Sequence, residues 1–204
     1  MYERASIPCV IINGWAHGGI EEILGHINNV RHSWNAIKLQ NEWRPIDCAW
    51  ASLDFIRGDS TDFYFFTPPD EFICSHYPEN DRWKLCNPYF NLNEFKQMPY
   101  VKPFLFSFLK QKIPLKGHIK TNAKYFDLDD FLNIDSTFEF EFADKKSDAV
   151  MTVAVHTIRV NGVKKYHIPI PYPGEWEFRI GKNIPIDARS SYFKELICFF
   201  VIRQ

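Results

Sequence analysis

A thiol nucleophile needs a base to take its proton. That base needs a third group to fix its tautomer and to balance the charge it gains. His32 and Asp47 are of the right types for base and third group, and they stand 15 positions apart in the chain. The residues around them suggest how they meet. His32, Trp34, Ala36 and Lys38 alternate with Ser33, Asn35, Ile37 and Leu39, a strand-like arrangement. Gln40-Asn41-Glu42 reads as a short turn, and residues 43–50 as the returning partner strand. Antiparallel pairing about that turn sets the two residues across from each other, roughly 5 Å apart at the backbone. An imidazole and a carboxylate so placed can hydrogen-bond. Trp34 and Trp50 would flank the pair and exclude water, strengthening it. On spacing alone, such a pair is more often a structural hydrogen bond than a catalytic one.

The five cysteines offer no evident nucleophile. Cys9 lies in an apolar run, where a thiol is ordinarily inert packing. Cys48 follows Asp47 in the expected strand, so its side chain should take the opposite face. Cys74, Cys86 and Cys198 follow no motif. No metal site is expected either, because His17, His26, His32 and His76 lack paired CxxC or HxxxH spacing. Asp144-Lys145-Lys146 could suggest a nuclease-like carboxylate and lysine, but it reads better as a solvated hairpin turn.

The elements that would hold these residues differ between the halves. Residues 7–12 are apolar and read as a buried strand. A domain that opens on such a strand suggests that sequence precedes it. Residues 14–19 hold three glycines and read as a loop, and 20–30 have helical apolar spacing weakened by Gly25. Residues 58–62 read as a turn into a strand at 63–66, and Asn91 begins a capped helical turn. Pro114 and Gly117 mark the joint, giving domains 1–114 and 115–204. The second half is strand-like: Phe138, Phe140 and Phe142 share a face, and residues 150–160 form a strand. Asn161-Gly162 is a two-residue hairpin turn. The segments 163–170, 176–180 and 196–202 follow as strands, together suggesting an immunoglobulin-like antiparallel sandwich.

Composition bounds the partners. The chain has 204 residues, 46% hydrophobic and 24% charged, with 19 Phe and 6 Trp, so core material is ample. A formal net charge of -1 supplies no basic field for nucleic acid or anionic lipid. No run approaches the roughly 18 apolar residues of a membrane span, and no signal peptide is visible. An odd number of irregularly spaced cysteines suits a reducing, cytoplasmic setting.

Several stretches carry a resemblance. His32-Ser33-Trp34-Asn35-Ala36 and Trp43-Arg44-Pro45-Ile46-Asp47-Cys48-Ala49-Trp50 resemble the His and Asp motifs of the transglutaminase-like superfamily. The strand and glycines from Ile7 to Gly18 resemble what precedes those motifs. The stretch from Phe63 to Ile73, His76-Tyr77-Pro78-Glu79, Trp83-Lys84-Leu85 and Met98-Pro99-Tyr100-Val101-Lys102-Pro103 are similar to its kyphoscoliosis peptidase and hillarin branch. Residues 168–180 resemble, more weakly, the immunoglobulin-like domain of that branch. The resemblance implies an α+β fold class: the C-terminal β-rich part of a transglutaminase-like (papain-like cysteine peptidase) domain, N-terminally truncated, followed by an immunoglobulin-like antiparallel β-sandwich. It implies His32 as base and Asp47 as orienting carboxylate, with Trp34, Asn35 and Trp50 in support and no cofactor. The family's nucleophile lies on a helix upstream of the strand matching residues 7–12, and no residue here matches it. Ala51-Ser52-Leu53 departs from the glycine common in the family. The expectation is therefore an inactive chain from a peptide-hydrolysing or transamidating family. A non-catalytic scaffold with cytoskeletal protein partners is the alternative.

Overall fold

The computed structural model describes residues 7–17, 31–57, 63–147, 149–187 and 190–204. The helix expected at 20–30 and the turn at 58–62 lie outside them. Two compact units emerge, one holding the described residues up to Phe95 and one from Lys96 to Gln204.

In the first unit, β1 (Cys9–Ala16), β2 (Arg31–Leu39) and β3 (Glu42–Ile46) are followed by helix α1 (Cys48–Arg57). A short helix Pro69–Phe72 leads to β4 (His76–Pro78), and helical turns follow at Asp81–Lys84 and Leu92–Phe95. The strands form an antiparallel sheet in the order β3-β2-β1-β4. The β2–β3 hairpin turns on Gln40 and Asn41, whose φ values of 47° and 68° place both in the left-handed region. A two-residue turn of this handedness matches the strand twist. It pairs Leu39 with Glu42 and Asn35 with Ile46.

That register corrects the expected pairing. His32 and Asp47 do not face each other squarely. The strand stops at Ile46, and residues 48–57 are helix rather than the rest of a strand. Both residues nevertheless keep the parity of one sheet face, shared with Ile12, Trp34 and Ala36. A buried cluster of Ile12, Trp34, Ala36, Tyr64 and Phe72 covers that face. The apolar run at 7–12 is not buried on both sides, since Ile12 is 2% exposed and its neighbour Ile11 is 73% exposed. The strand expected at 63–66 reduces to one bridge between Ile46 and Phe65, because Phe66 turns to a φ of 69° and ends the extension. The three-glycine loop is also revised: Gly14 lies within β1. A Cβ there would stand 2.3 Å from the Tyr77 carbonyl and 2.6 Å from the Trp34 ring.

The second unit comprises β5 (Tyr100–Val101), β6 (His118–Thr121), β7 (Tyr125–Asp129), β8 (Phe138–Asp144) and β9 (Val150–Thr152). The chain continues through β10 (His156–Val160), β11 (Val163–Pro169), β12 (Gly174–Pro185) and β13 (Ser191–Arg203). One sheet runs β10-β11-β7; the other runs β5-β13-β12-β8-β9, with β6 also paired to β13. They meet through Phe126 of one and Phe142 and Phe178 of the other, with ring centroids 6.4 and 5.3 Å apart. Asn161 and Gly162, at φ 51° and 81°, make the expected hairpin turn. Three details differ from the sequence reading. Residues 150–160 break into two strands belonging to different sheets, and β6 runs parallel to β13, so the unit is not wholly antiparallel. Residues 96–114 fall with this unit, because Tyr100 and Val101 pair with Cys198 and Ile197. Among the described residues no helix is long and apolar enough to cross a membrane.

Candidate active site

Asp47 sits where β3 gives way to α1, and it serves both. Its backbone N–H donates to the Tyr64 carbonyl at 2.9 Å. Its Oδ1 accepts from the backbone N–H groups of Ala49 and Trp50 at 3.0 and 3.1 Å, capping the helix. This fixes the carboxylate plane and aims Oδ2 along the sheet face. There His32 Nε2 lies 2.5 Å away. The pair therefore forms without square cross-strand pairing, because the turn into the helix carries the carboxylate back towards β2.

A second histidine joins them. His76, the first residue of β4, places Nε2 3.0 Å from the same Oδ2. Its Nδ1 lies 2.8 Å from Ser75 Oγ. In the sequence His76 stands only as part of a family-like stretch and as a histidine without metal spacing. The available signal was its place on a short strand beside β1, which no local pattern reveals. His76 pairs with Ala16 of β1, and Gly14, two residues earlier, pairs with His32 of β2. The two imidazoles, from the strands on either side of β1, approach to 5.5 Å between ring centroids.

Aromatic rings enclose the cluster. Phe72 stacks on His76 at 4.2 Å, and Trp50 meets its edge at 4.5 Å. Trp34 lies 5.2 Å from His76 and 6.2 Å from His32, while Trp50 lies 5.4 Å from His32. Trp34 and Trp50 thus stand beside both imidazoles. Asn35 does not join the site: it has the other strand parity, and its Nδ2 donates to the Val10 carbonyl at 3.4 Å.

The electrostatics follow from burial. The His76 and Asp47 side chains are 0% and 2% exposed, whereas His32 is 21% exposed. Burial pushes the Asp47 carboxyl upward. Hydrogen bonds from His32 and His76 outweigh that and hold it well below the usual carboxylate range. Burial pushes His76 down to about 4, against the pull of Asp47. The cluster at neutral pH is therefore an ionised aspartate and a neutral buried histidine, joined by a partly open histidine. With Nε2 engaged by Asp47, His32 has Nδ1 on the far side of its ring for proton transfer.

The donor atoms of His32, Asp47 and His76 lie within 4.8 Å of one another, a grouping able to hold a metal ion. The pairwise spacing sought in the sequence could not show it, since the three come from separate elements. The 2.5 and 3.0 Å separations are hydrogen-bond lengths, and imidazole protons account for them.

The thiols occupy other places. Cys9 has the opposite parity on β1. Cys48 is not a strand residue; it is exposed at the first position of α1. Cys74 Sγ donates to the Asp70 carbonyl, and burial pushes its thiol up to about 12. Cys86 Sγ donates to the Pro69 carbonyl. Cys198 is buried in the second unit, which holds its thiol well above the usual range.

No family model matches the chain. Curated relatives do. The chain is 32% identical to kyphoscoliosis peptidase of Homo sapiens over 109 residues, covering 50% of this chain and 16% of that protein. It is 29% identical to hillarin of Drosophila melanogaster over 122 residues, covering 51% and 15%. It is 26% identical to the Lim and transglutaminase domain protein ltd-1 of Caenorhabditis elegans over 121 residues, covering 51% and 17%. The chain is thus similar to these proteins over about half of its own length and spans about a sixth of theirs.

Proposed function

We propose that this chain carries the base and orienting half of a transglutaminase-like Cys–His–Asp acyl-transfer site, and that the chain by itself is inactive. The observation that carries the reading is the 2.5 Å contact between His32 Nε2 and an ionised, helix-capping Asp47, on one face of a sheet. The names of its homologues support the same chemistry. In such a site a thiol gives its proton to His32 Nδ1 and attacks an acyl carbon, of a peptide bond or of a glutamine side chain. His32 then returns the proton to the departing amine, while Asp47 keeps the ring in the Nε2–H form. Water or a second amine resolves the acyl-enzyme. No cysteine of this chain is assigned the nucleophilic role, and no cofactor enters this chemistry. The second unit is read as an immunoglobulin-like domain.

A second reading gives the chain a non-catalytic part, binding cytoskeletal proteins in the cytoplasm. The placement of Cys74, Cys86 and Cys198 against carbonyls or in a buried core favours it. Peptide hydrolysis and amine incorporation into a glutamine-bearing protein decide between the readings. The purified 204-residue chain is expected to show neither. Activity that disappears in His32→Ala would sink the inactivity claim. In a protein joining this chain to a reactive cysteine, Asp47→Asn should lower kcat by about a thousandfold or more. An unchanged kcat there would remove the acyl-transfer reading.

A further inference from the structure

We propose that His76, held by Ser75, is a second positioning residue of the site, locking Asp47 so that His32 keeps its proton on Nε2 and its lone pair on Nδ1. The inference rests on reading His32 and Asp47 as base and orienting group.

The carboxylate is fully subscribed. An ionised carboxylate offers about four acceptor positions. Asp47 uses two on Oδ1, for the N–H groups of Ala49 and Trp50, and two on Oδ2, for the imidazoles of His32 and His76. Oδ2 cannot leave its partners without stranding the buried His76 donor, and Oδ1 cannot leave without undoing the helix cap. Rotation of the carboxylate, which would free His32 to take the other tautomer, is therefore opposed from both sides.

The hydrogen bonds also fix where each proton sits. Asp47 accepts only, so both Nε2 atoms must donate to it. His76 is neutral at neutral pH, so its Nδ1 is bare and must accept. Its partner is the Ser75 hydroxyl at 2.8 Å. Ser75 Oγ also lies 3.2 Å from the Phe72 carbonyl, but its one proton belongs to His76 in this arrangement. The result is a directed relay: Ser75 donates to His76, His76 donates to Asp47, and His32 donates to Asp47. The ring of His76 cannot reorient to escape it. Phe72 stacks on it at 4.2 Å, and Trp50, Trp34 and Tyr64 stand 4.5, 5.2 and 5.7 Å away. His76 has no exposed surface and cannot meet a substrate, so its effect must pass through Asp47.

The test is the tautomer of each ring, read by long-range 1H–15N correlation on the 15N-labelled 204-residue chain near pH 7.5. The wild type should show both His76 and His32 as Nε2–H. His76→Gln sets an amide N–H where Nε2 stood, and His32 should keep its single-tautomer pattern. His76→Asn reaches only as far as Nδ1; it can retain Ser75 but not Asp47. There the two His32 ring-nitrogen shifts should converge towards a tautomer average, with loss of the single pattern. An unchanged His32 pattern in folded His76→Asn overturns the proposal. So does an Nδ1–H form of His76 in the wild type, a measurement that needs no variant. Because the readout is independent of turnover, a failure of acyl transfer leaves these patterns as they are, and the two readings fall separately.

Discussion

Asp47 and His76 stand 29 positions apart, yet their side chains meet at 3.0 Å in a place where neither has more than 2% of its surface exposed. A charged carboxylate so buried needs donors, and a buried imidazole must stay neutral. His76 supplies Asp47 with a donor, and burial keeps His76 neutral against the pull of the carboxylate.

Stability should therefore depend on pH through His76. Its usual value of 6.5 falls to about 4 in the folded chain. Below pH 6.5 the unfolded chain takes up a proton that the folded one refuses, so this contribution is whole above pH 6.5 and is lost as the pH falls towards 4. The change amounts to about 3 kcal/mol. Denaturant melts from pH 7.5 to 4 should show this slope, and His76→Gln should flatten it. An equal slope in the variant would mean that other groups carry it.

Asp47→Ala removes a helix cap and leaves two imidazole donors without their acceptor. A lost cap costs about 1 kcal/mol, and the stranded donor of buried His76 about 1–3 kcal/mol more. Asp47→Asn keeps an acceptor for the cap and should cost less. Chemical denaturation of both variants checks the order; equal losses would argue against a dual role.

Gly14→Ala should destabilise by about 1–3 kcal/mol, because the new methyl meets the Tyr77 carbonyl and the Trp34 ring. Gly162→Ala is the control. Its φ of 81° is strained for alanine, but nothing lies within 4 Å, so only the backbone cost of roughly 1–2 kcal/mol applies. The histidine signals should shift in the first variant and stay in place in the second.

Alkylation should rank the thiols. Cys48 is exposed and should react first with iodoacetamide, whereas buried Cys74, pushed up to about 12, and buried Cys198 should react only on unfolding. Peptide mass mapping reads the order. Early labelling of Cys74 would contradict the packing described around the short helix Pro69–Phe72.

Much of this was legible because it is local. The alternation through His32 and Trp34 gave a strand, Asn161-Gly162 gave a hairpin, and Asn91 gave a cap, with its Oδ1 accepting from Asn93 and Glu94 at 2.8 and 3.1 Å. The hairpin register slipped because it depends on how many residues form the turn. The turn is centred between Gln40 and Asn41, one residue beyond the midpoint of His32 and Asp47, so the two cannot pair squarely. The end of β3 shows no break in the sequence, because Cys48-Ala49-Trp50 continues the chain with apolar residues and no Gly or Pro, while the Asp47 cap diverts it into a helix.

The sequence by itself determined the chemistry available: a histidine and an aspartate on one face of a hairpin, tryptophans beside them, and no evident thiol partner. Parity along a strand is a local property, so one face could be read without knowing the register. The tertiary structure decided the rest. It placed β4 against β1, closed four aromatic rings around His76, and brought that residue to Asp47, to which no spacing connects it. Those contacts depend on which strand edges pair and on how burial sets charge, and both are properties of the folded chain rather than of neighbours in sequence.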